Sequence, residues 1–196
     1  MLDRLHRRLG DLKPDAEMWE ALDRGERLTA ILQDFYSLVY EDPRLAPFFD
    51  GVTRQRATEK QYSFLRRIFT GEDVYFGDRP NNAHHWMVIS DELFDHREAL
   101  MEDCLRRHGL PEHLIARWRG VEEIFRKVIV KEKPRPRKIR GQELPLDGYG
   151  SVAITTGTLC DGCAGEIDAG TLATYHVRTG KIYCASCMPS RSAPAE

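Results

Sequence analysis

The stretch from Phe35 to Gly51, FYSLVYEDPRLAPFFDG, decides the fold, because it joins the end of an amphipathic helix to a corner punctuated by two prolines and rich in phenylalanine. Working back from it, Leu28, Ile31, Leu32, Phe35 and Val39 recur at i, i+3, i+4, i+7 and i+11. Tyr36 lies on the edge of the same face. Working forward, Thr53 to Thr70 reads as a second helix stopped by Gly71, with Ala57, Phe64, Leu65 and Ile68 inward and Gln61 in their midst.

The loop GEDVYFGDRPNN, residues 71–82, then leads to AHHWMVIS, residues 83–90. Ser90 is a natural N-cap, followed by Asp91 and Glu92 where the helix dipole favours acids, and by a stripe of Leu93, Leu100, Met101, Cys104 and Leu105. That helix should stop at Gly109. Pro111 suits the first turn of a last helix with a stripe of Leu114, Trp118, Val121, Phe125 and Val128. From residue 15 to residue 130 the periodicity is helical and no strand pattern stands out, so the domain is all-α.

Two polar side chains on these apolar faces need an explanation. A buried amide or phenol without a partner costs on the order of 1–3 kcal/mol. Either Tyr36 and Gln61 bond each other or a backbone carbonyl, or they converge on a bound polar ligand.

FYSLVYEDPRLAPFFDG, KQYSFL (Lys60 to Leu65) and AHHWMVISDELFD (Ala83 to Asp95) together resemble the truncated haemoglobins, most closely their first group. The resemblance spans residues 19–130 and implies a two-over-two helical sandwich around haem b. It implies His84, five residues before Ile89, as the iron ligand, with Tyr36 and Gln61 as hydrogen-bond donors to bound dioxygen or nitric oxide. It makes Phe49 the ring that packs on the haem face, with Phe48, Leu65 and Ile89 as pocket wall and Ala57 leaving the sixth iron position open. Nitric-oxide dioxygenase activity is implied for some members. No flavin or nicotinamide domain accompanies the globin, so that activity needs an external reductase.

His85 is expected to face solvent or the haem rim, and His6, His96, His108 and His113 to lie on solvated helix faces or ends. LDRGER, Leu22 to Arg27, departs from the Gly-Gly usual near the first helix of the family, which bears on the geometry of that corner.

Composition bounds the remainder. A chain of 196 residues accommodates a core domain and an appendage, and a net charge of −2 gives no global attraction to nucleic acid or anionic membrane. No apolar run approaches the roughly 20 residues of a membrane span, and the first residues lack the apolar centre of a secretion signal. A cytoplasmic protein is expected.

Four of the five cysteines form CDGC, Cys160 to Cys163, and CASC, Cys184 to Cys187. Two such knuckles joined by a hairpin, here TLATYHV and KIYC about RTG, make a four-thiolate zinc site of the zinc-ribbon or treble-clef kind. With apolar residues limited to Ile154, Leu159, Ile167, Leu172, Val177 and Ile182, that module should fold only with its metal.

The expected organisation is therefore an N-terminal extension over 1–14, the globin domain over 15–130 and a basic, proline-containing linker over 131–150. A small β-rich zinc module over 151–188 and a disordered tail over 189–196 complete it. The linker carries six basic residues in KEKPRPRKIR, Lys131 to Arg140, and the module would engage a protein or a nucleic acid. An alternative function is that of a haem-based gas or redox sensor whose zinc module contacts such a partner.

Overall fold

The computed structural model describes residues 13–77, 80–136, 138–139, 142–143, 146, 148–178 and 180–187. The expected disordered tail and nearly all of the N-terminal extension, His6 included, lie outside these residues. The chain divides into two compact units, residues 1–133 and 134–196.

Among the described residues the first unit holds six α-helices. Helix α1, Ala16–Ala21, is capped by the Asp15 carboxylate, which accepts from Met18 N at 3.0 Å. Helix α2, Glu26–Glu41, runs into the corner, where Ala46–Phe49 form a 3-10 turn. Helix α3, Arg54–Thr70, starts at the Thr53 hydroxyl and ends at Gly71 with φ +77°. A short helix α4, Pro80–Ala83, precedes the two histidines. Helix α5, Asp91–Arg107, begins where Ser90 Oγ accepts from Leu93 N at 3.1 Å, and helix α6, Glu112–Ile129, follows Pro111. Local sequence sets each boundary, because a hydroxyl, a carboxylate or a left-handed glycine satisfies the end groups that the helix leaves open.

Helix α2 packs on α3 and on α5, and α5 packs on α6, giving two helix pairs laid one over the other. The stripes read from the sequence meet between them. Trp118 on α6 is only 1 % exposed and its ring lies 5.6 Å from Phe69 on α3, while Phe125 meets Phe64 at 5.4 Å. Each such large side chain contributes roughly 3–5 kcal/mol, judged by what truncation to alanine costs.

Two histidine expectations are corrected. His85 is 5 % exposed rather than at the rim or in solvent, because it sits in the hydrogen-bonded turn that follows α4 and not on an open helix face. His96 is half-buried, and its Nε2 lies 2.5 Å from Asp42 Oδ2. That contact ties α5 to the corner after α2, and it holds the Asp42 carboxyl below its ordinary range.

In the second unit, β1 (Lys138–Ile139) pairs antiparallel with β2 (Gln142–Glu143), inside the span expected to be linker. This pairing is backbone to backbone and needs no core. Strand β3, Tyr149–Ala153, which the sequence reading did not anticipate, pairs antiparallel with β6, Leu172–His176. Strand β6 pairs in turn with β7, Ile182–Tyr183, the expected hairpin, and β4 (Thr158–Leu159) pairs with β5 (Glu166–Ile167). The core is small: Ile154, Cys160, Ile167 and Ala173, flanked by Val152, Ile182 and Tyr183. Leu159 and Leu172 do not join it, being 59 % and 69 % exposed.

The LDRGER corner takes left-handed backbone at three successive residues, Asp23 (φ +50°), Arg24 (φ +51°) and Gly25 (φ +108°). Non-glycine residues reach this region at a cost of about 1–2 kcal/mol each. At Gly25 a Cβ would also stand 2.3 Å from the Tyr62 hydroxyl and 3.1 Å from the Trp19 ring. Gly25→Ala should therefore destabilise the first unit by about 1–3 kcal/mol, measured by urea unfolding, because both backbone and packing oppose the added methyl.

Candidate functional site

A cavity of about 310 Å³ opens inside the first unit, lined from α2, the corner, α3, α4, the segment after it, α5 and α6. Tyr36, Phe48, Phe49, Ala57, Gln61, Leu65, His84 and Ile89 all line it, so the structure brings together every residue expected of a haem pocket.

His84 is held by its own chain. Its backbone N–H donates to Pro80 O at 3.1 Å, and its ring Nδ1 lies 2.9 Å from the same carbonyl. A carbonyl oxygen only accepts, so Nδ1 carries the proton and Nε2 carries the lone pair. Burial pushes the imidazole pKa down to about 4, which leaves the ring neutral at physiological pH, the form a metal requires. The His84 carbonyl accepts from Lys131 Nζ at 2.7 Å, fixing the segment from the end of α6. His85 is not among the lining residues.

Ala57, Gln61 and Leu65 stand one turn apart on α3 and face the cavity together. Tyr36 enters from α2, edge-on to Phe35 at 5.2 Å and to Phe49 at 5.8 Å. Phe49 in turn packs on Tyr40 at 5.2 Å, whose hydroxyl donates to Val52 O at 2.7 Å. This aromatic cluster fixes the direction of the Tyr36 ring. Among the described residues neither the Tyr36 hydroxyl nor the Gln61 amide makes a hydrogen bond to protein. Burial holds the phenol protonated far above neutrality, so it is a donor under all physiological conditions.

Among the lining residues that the sequence reading did not assign to the site are three charged groups that meet one another: Arg97 and Glu98 on α5 and Glu122 on α6. Arg97 Nη1 donates to Glu98 Oε1 at 2.7 Å and to Glu122 Oε1, and its guanidinium lies 4.8 Å from the centre of the Phe35 ring. A signal for them existed. Glu98 falls with Phe94, Met101 and Leu105 at i, i+4, i+7 and i+11, and Glu122 falls between Trp118 and Phe125, both positions on an apolar stripe.

In the second unit, Cys160, Cys163, Cys184 and Cys187 place their four sulfurs within 4.8 Å of one another, and Cys163 and Cys184 are 3.9 Å apart. A tetrahedral zinc with bonds of about 2.3 Å separates its sulfurs by about 3.8 Å, so the donor set fits such an ion. The N–H groups of Gly162 and Cys184 each donate to Cys160 Sγ at 3.3 Å. The Cys184 N–H is the main cause that lowers the Cys160 thiol to about 6. A Cβ at Gly162 would meet Cys187 Cβ at 3.0 Å, so the close approach of the two knuckles favours glycine there.

The family model of bacterial-like globins matches residues 17–130. The chain is 32 % identical to a group 1 truncated hemoglobin GlbN of Synechocystis sp. over 103 residues, half of this chain and 83 % of that protein. It is 25 % identical to a group 1 truncated hemoglobin GlbN of Mycolicibacterium paratuberculosis over 101 residues, 52 % of this chain and 74 % of that one. Among solved structures, the truncated hemoglobin from Tetrahymena pyriformis in its Fe(III) form superposes with a TM-score of 0.54 at 26 % identity. That match covers 58 % of this chain and 97 % of the other. The 2/2 hemoglobin from Synechococcus sp., at 21 % identity and a TM-score of 0.52 over 57 % and 97 % of the two chains, shares the fold. The matched segment is the helical unit that contains the His84 cavity, and the chain belongs to the bacterial-like globin family.

Proposed function

We propose that the first unit binds haem b in this cavity through His84 Nε2 and holds dioxygen or nitric oxide beneath Tyr36 and Gln61. One observation carries the reading. An imidazole whose Nδ1 is already committed to Pro80, and a phenol and an amide with no hydrogen bond to protein, face the same largely apolar cavity. When bound, haem supplies an iron that takes up diatomic gases.

The chain's own residues do the remainder. The Pro80 carbonyl keeps the His84 ring in one tautomer and orientation, the usual support of a metal-bound imidazole. Phe48, Phe49, Leu65 and Ile89 exclude water from an apolar macrocycle, while the single methyl of Ala57 leaves room for a small ligand. The Tyr36 O–H and the Gln61 N–H supply hydrogen bonds to a ligand that draws electron density, strengthened by the low dielectric around them. Turnover of nitric oxide to nitrate by this pocket would draw electrons from an external reductase.

For the second unit we propose zinc held by the four thiolates. Four protein ligands close the coordination shell, so the ion is structural, and its binding free energy is folding free energy for a unit with so small a core.

Three outcomes are expected. His84→Gly abolishes stable haem retention, and added imidazole restores a ligated absorption spectrum without covalent attachment to the helix. Tyr36→Phe accelerates dioxygen dissociation by roughly 10- to 100-fold, the equivalent of a charge-assisted hydrogen bond, with carbon monoxide dissociation far less affected in stopped-flow measurements. Removal of metal by a strong chelator collapses the second unit's amide dispersion in NMR spectra, and one equivalent of zinc returns it.

A further inference from the structure

The charged part of the cavity wall has no place in the site described so far. Arg97 Nη1 donates to one oxygen of Glu98 and to one oxygen of Glu122. Two oxygens on a single nitrogen are close neighbours, and both carboxyl groups are buried, with Glu98 1 % and Glu122 8 % exposed. The second oxygen of Glu98 is buried with no hydrogen-bond partner. Arg119 Nε lies 3.6 Å from that oxygen, outside hydrogen-bonding reach, and Arg119 donates instead to Glu102 at 2.6 Å.

We propose that Glu98 and Glu122 hold one proton between them at neutral pH and that this pair is the acid of the cavity, able to protonate a bound oxyanion such as nitrite. The proposal rests on the haem reading above. Two like charges this close in a low-dielectric site cannot both ionise at their ordinary pKa, so one proton is retained and shared across a carboxyl–carboxylate hydrogen bond. Arg97 stands between the two carboxylates, while Arg119 is 3.6 Å from Glu98 and gives its hydrogen bond to Glu102, so it offsets the second charge only in part.

The groups around the pair are consistent with this. From α5 it meets Arg97, and Glu102 stands behind Arg119; from α6 it meets Arg119. The Tyr36 phenol on α2 and the His84 ring lie within electrostatic range of Arg97. Burial first, and then the charge of Glu122, push the Glu98 carboxyl up to about 8. The phenol of Tyr36 is too weak an acid to give up a proton at neutral pH, and His84 Nε2 is the iron ligand. Lys60 also lines the cavity and gives the lining a cationic group that favours an anion.

Conversion of nitrite to nitric oxide breaks one N–O bond, consumes one electron and two protons, and releases the oxygen as water. The electron comes from an added reductant, dithionite. The pair gives one proton, solvent gives the other, and solvent then reprotonates the pair.

The test has two arms. Infrared spectra of the haem-free protein at neutral pH should show a deuterium-sensitive protonated-carboxyl stretch that is missing from both Glu98→Gln and Glu122→Gln, because either substitution removes the like charge and leaves a single carboxylate paired with Arg97. In haem-loaded protein under dithionite, either substitution should slow nitrite conversion at least about tenfold relative to carbon monoxide association, which takes no proton. That excess of wild type over variant should vanish as pH rises through about 8. Absence of the band from the wild type overturns the shared proton without any variant having to fold, and a nitrite rate that tracks carbon monoxide association in both variants overturns its role. Failure of the wild type to take up haem overturns the haem reading and the nitrite role with it, while the infrared arm still decides the proton.

Discussion

The hydrogen bond from His84 Nδ1 to the Pro80 carbonyl, 2.9 Å long, is the constraint on which the site depends. It forces the lone pair onto Nε2 and fixes the plane of the ring. It exists because a short helix begins at Pro80, which sets the carbonyl of that residue four positions before His84. Lys131, reaching the His84 carbonyl from the end of α6, anchors the same segment to the opposite helix pair. A pocket assembled from five helices thereby obtains one rigid nitrogen at its wall.

The rest of the pocket follows from two helix faces and a corner. Helix α3 delivers Ala57, Gln61 and Leu65 by its pitch alone, and the aromatic cluster of Phe35, Tyr36, Tyr40 and Phe49 fixes where the phenol stands. Burial then acts on each titratable group in the useful direction. The imidazole is kept neutral so that it can ligate, and the phenol is kept protonated so that it can donate. The Arg97–Glu98–Glu122 wall is the exception, since burial there brings two carboxyl groups onto one guanidinium nitrogen.

Much of this was legible in the sequence where a local signal determines structure. Thr53, Ser90, Gly71 and Pro111 marked helix ends because caps and breakers act within one turn, and the cavity residues followed from helical spacing together with the family's motifs. What was not legible depends on partners distant in the chain. His96 reads as a solvated helix residue until the corner supplies Asp42, and the ionic contacts of Arg97 form only once α6 supplies Glu122. His85 reads as a surface neighbour of His84 because its direction is set by a turn rather than by a period. In the second unit the cysteine spacing marked the four-thiol cluster, but sheets of only two and three strands do not bury every apolar residue, so Leu159 and Leu172 remain outside its core.

The most direct test of the central claim is a titration of the haem-free protein with haem, followed by the Soret absorbance and by the quenching of its tryptophan fluorescence. A sharp end point is expected at one haem per chain, with the ferrous product five-coordinate through a neutral histidine and able to take up carbon monoxide. A gradual, non-saturating response like that of haem on an unrelated protein would contradict it, and would reduce the His84 cavity to a feature of an inherited frame.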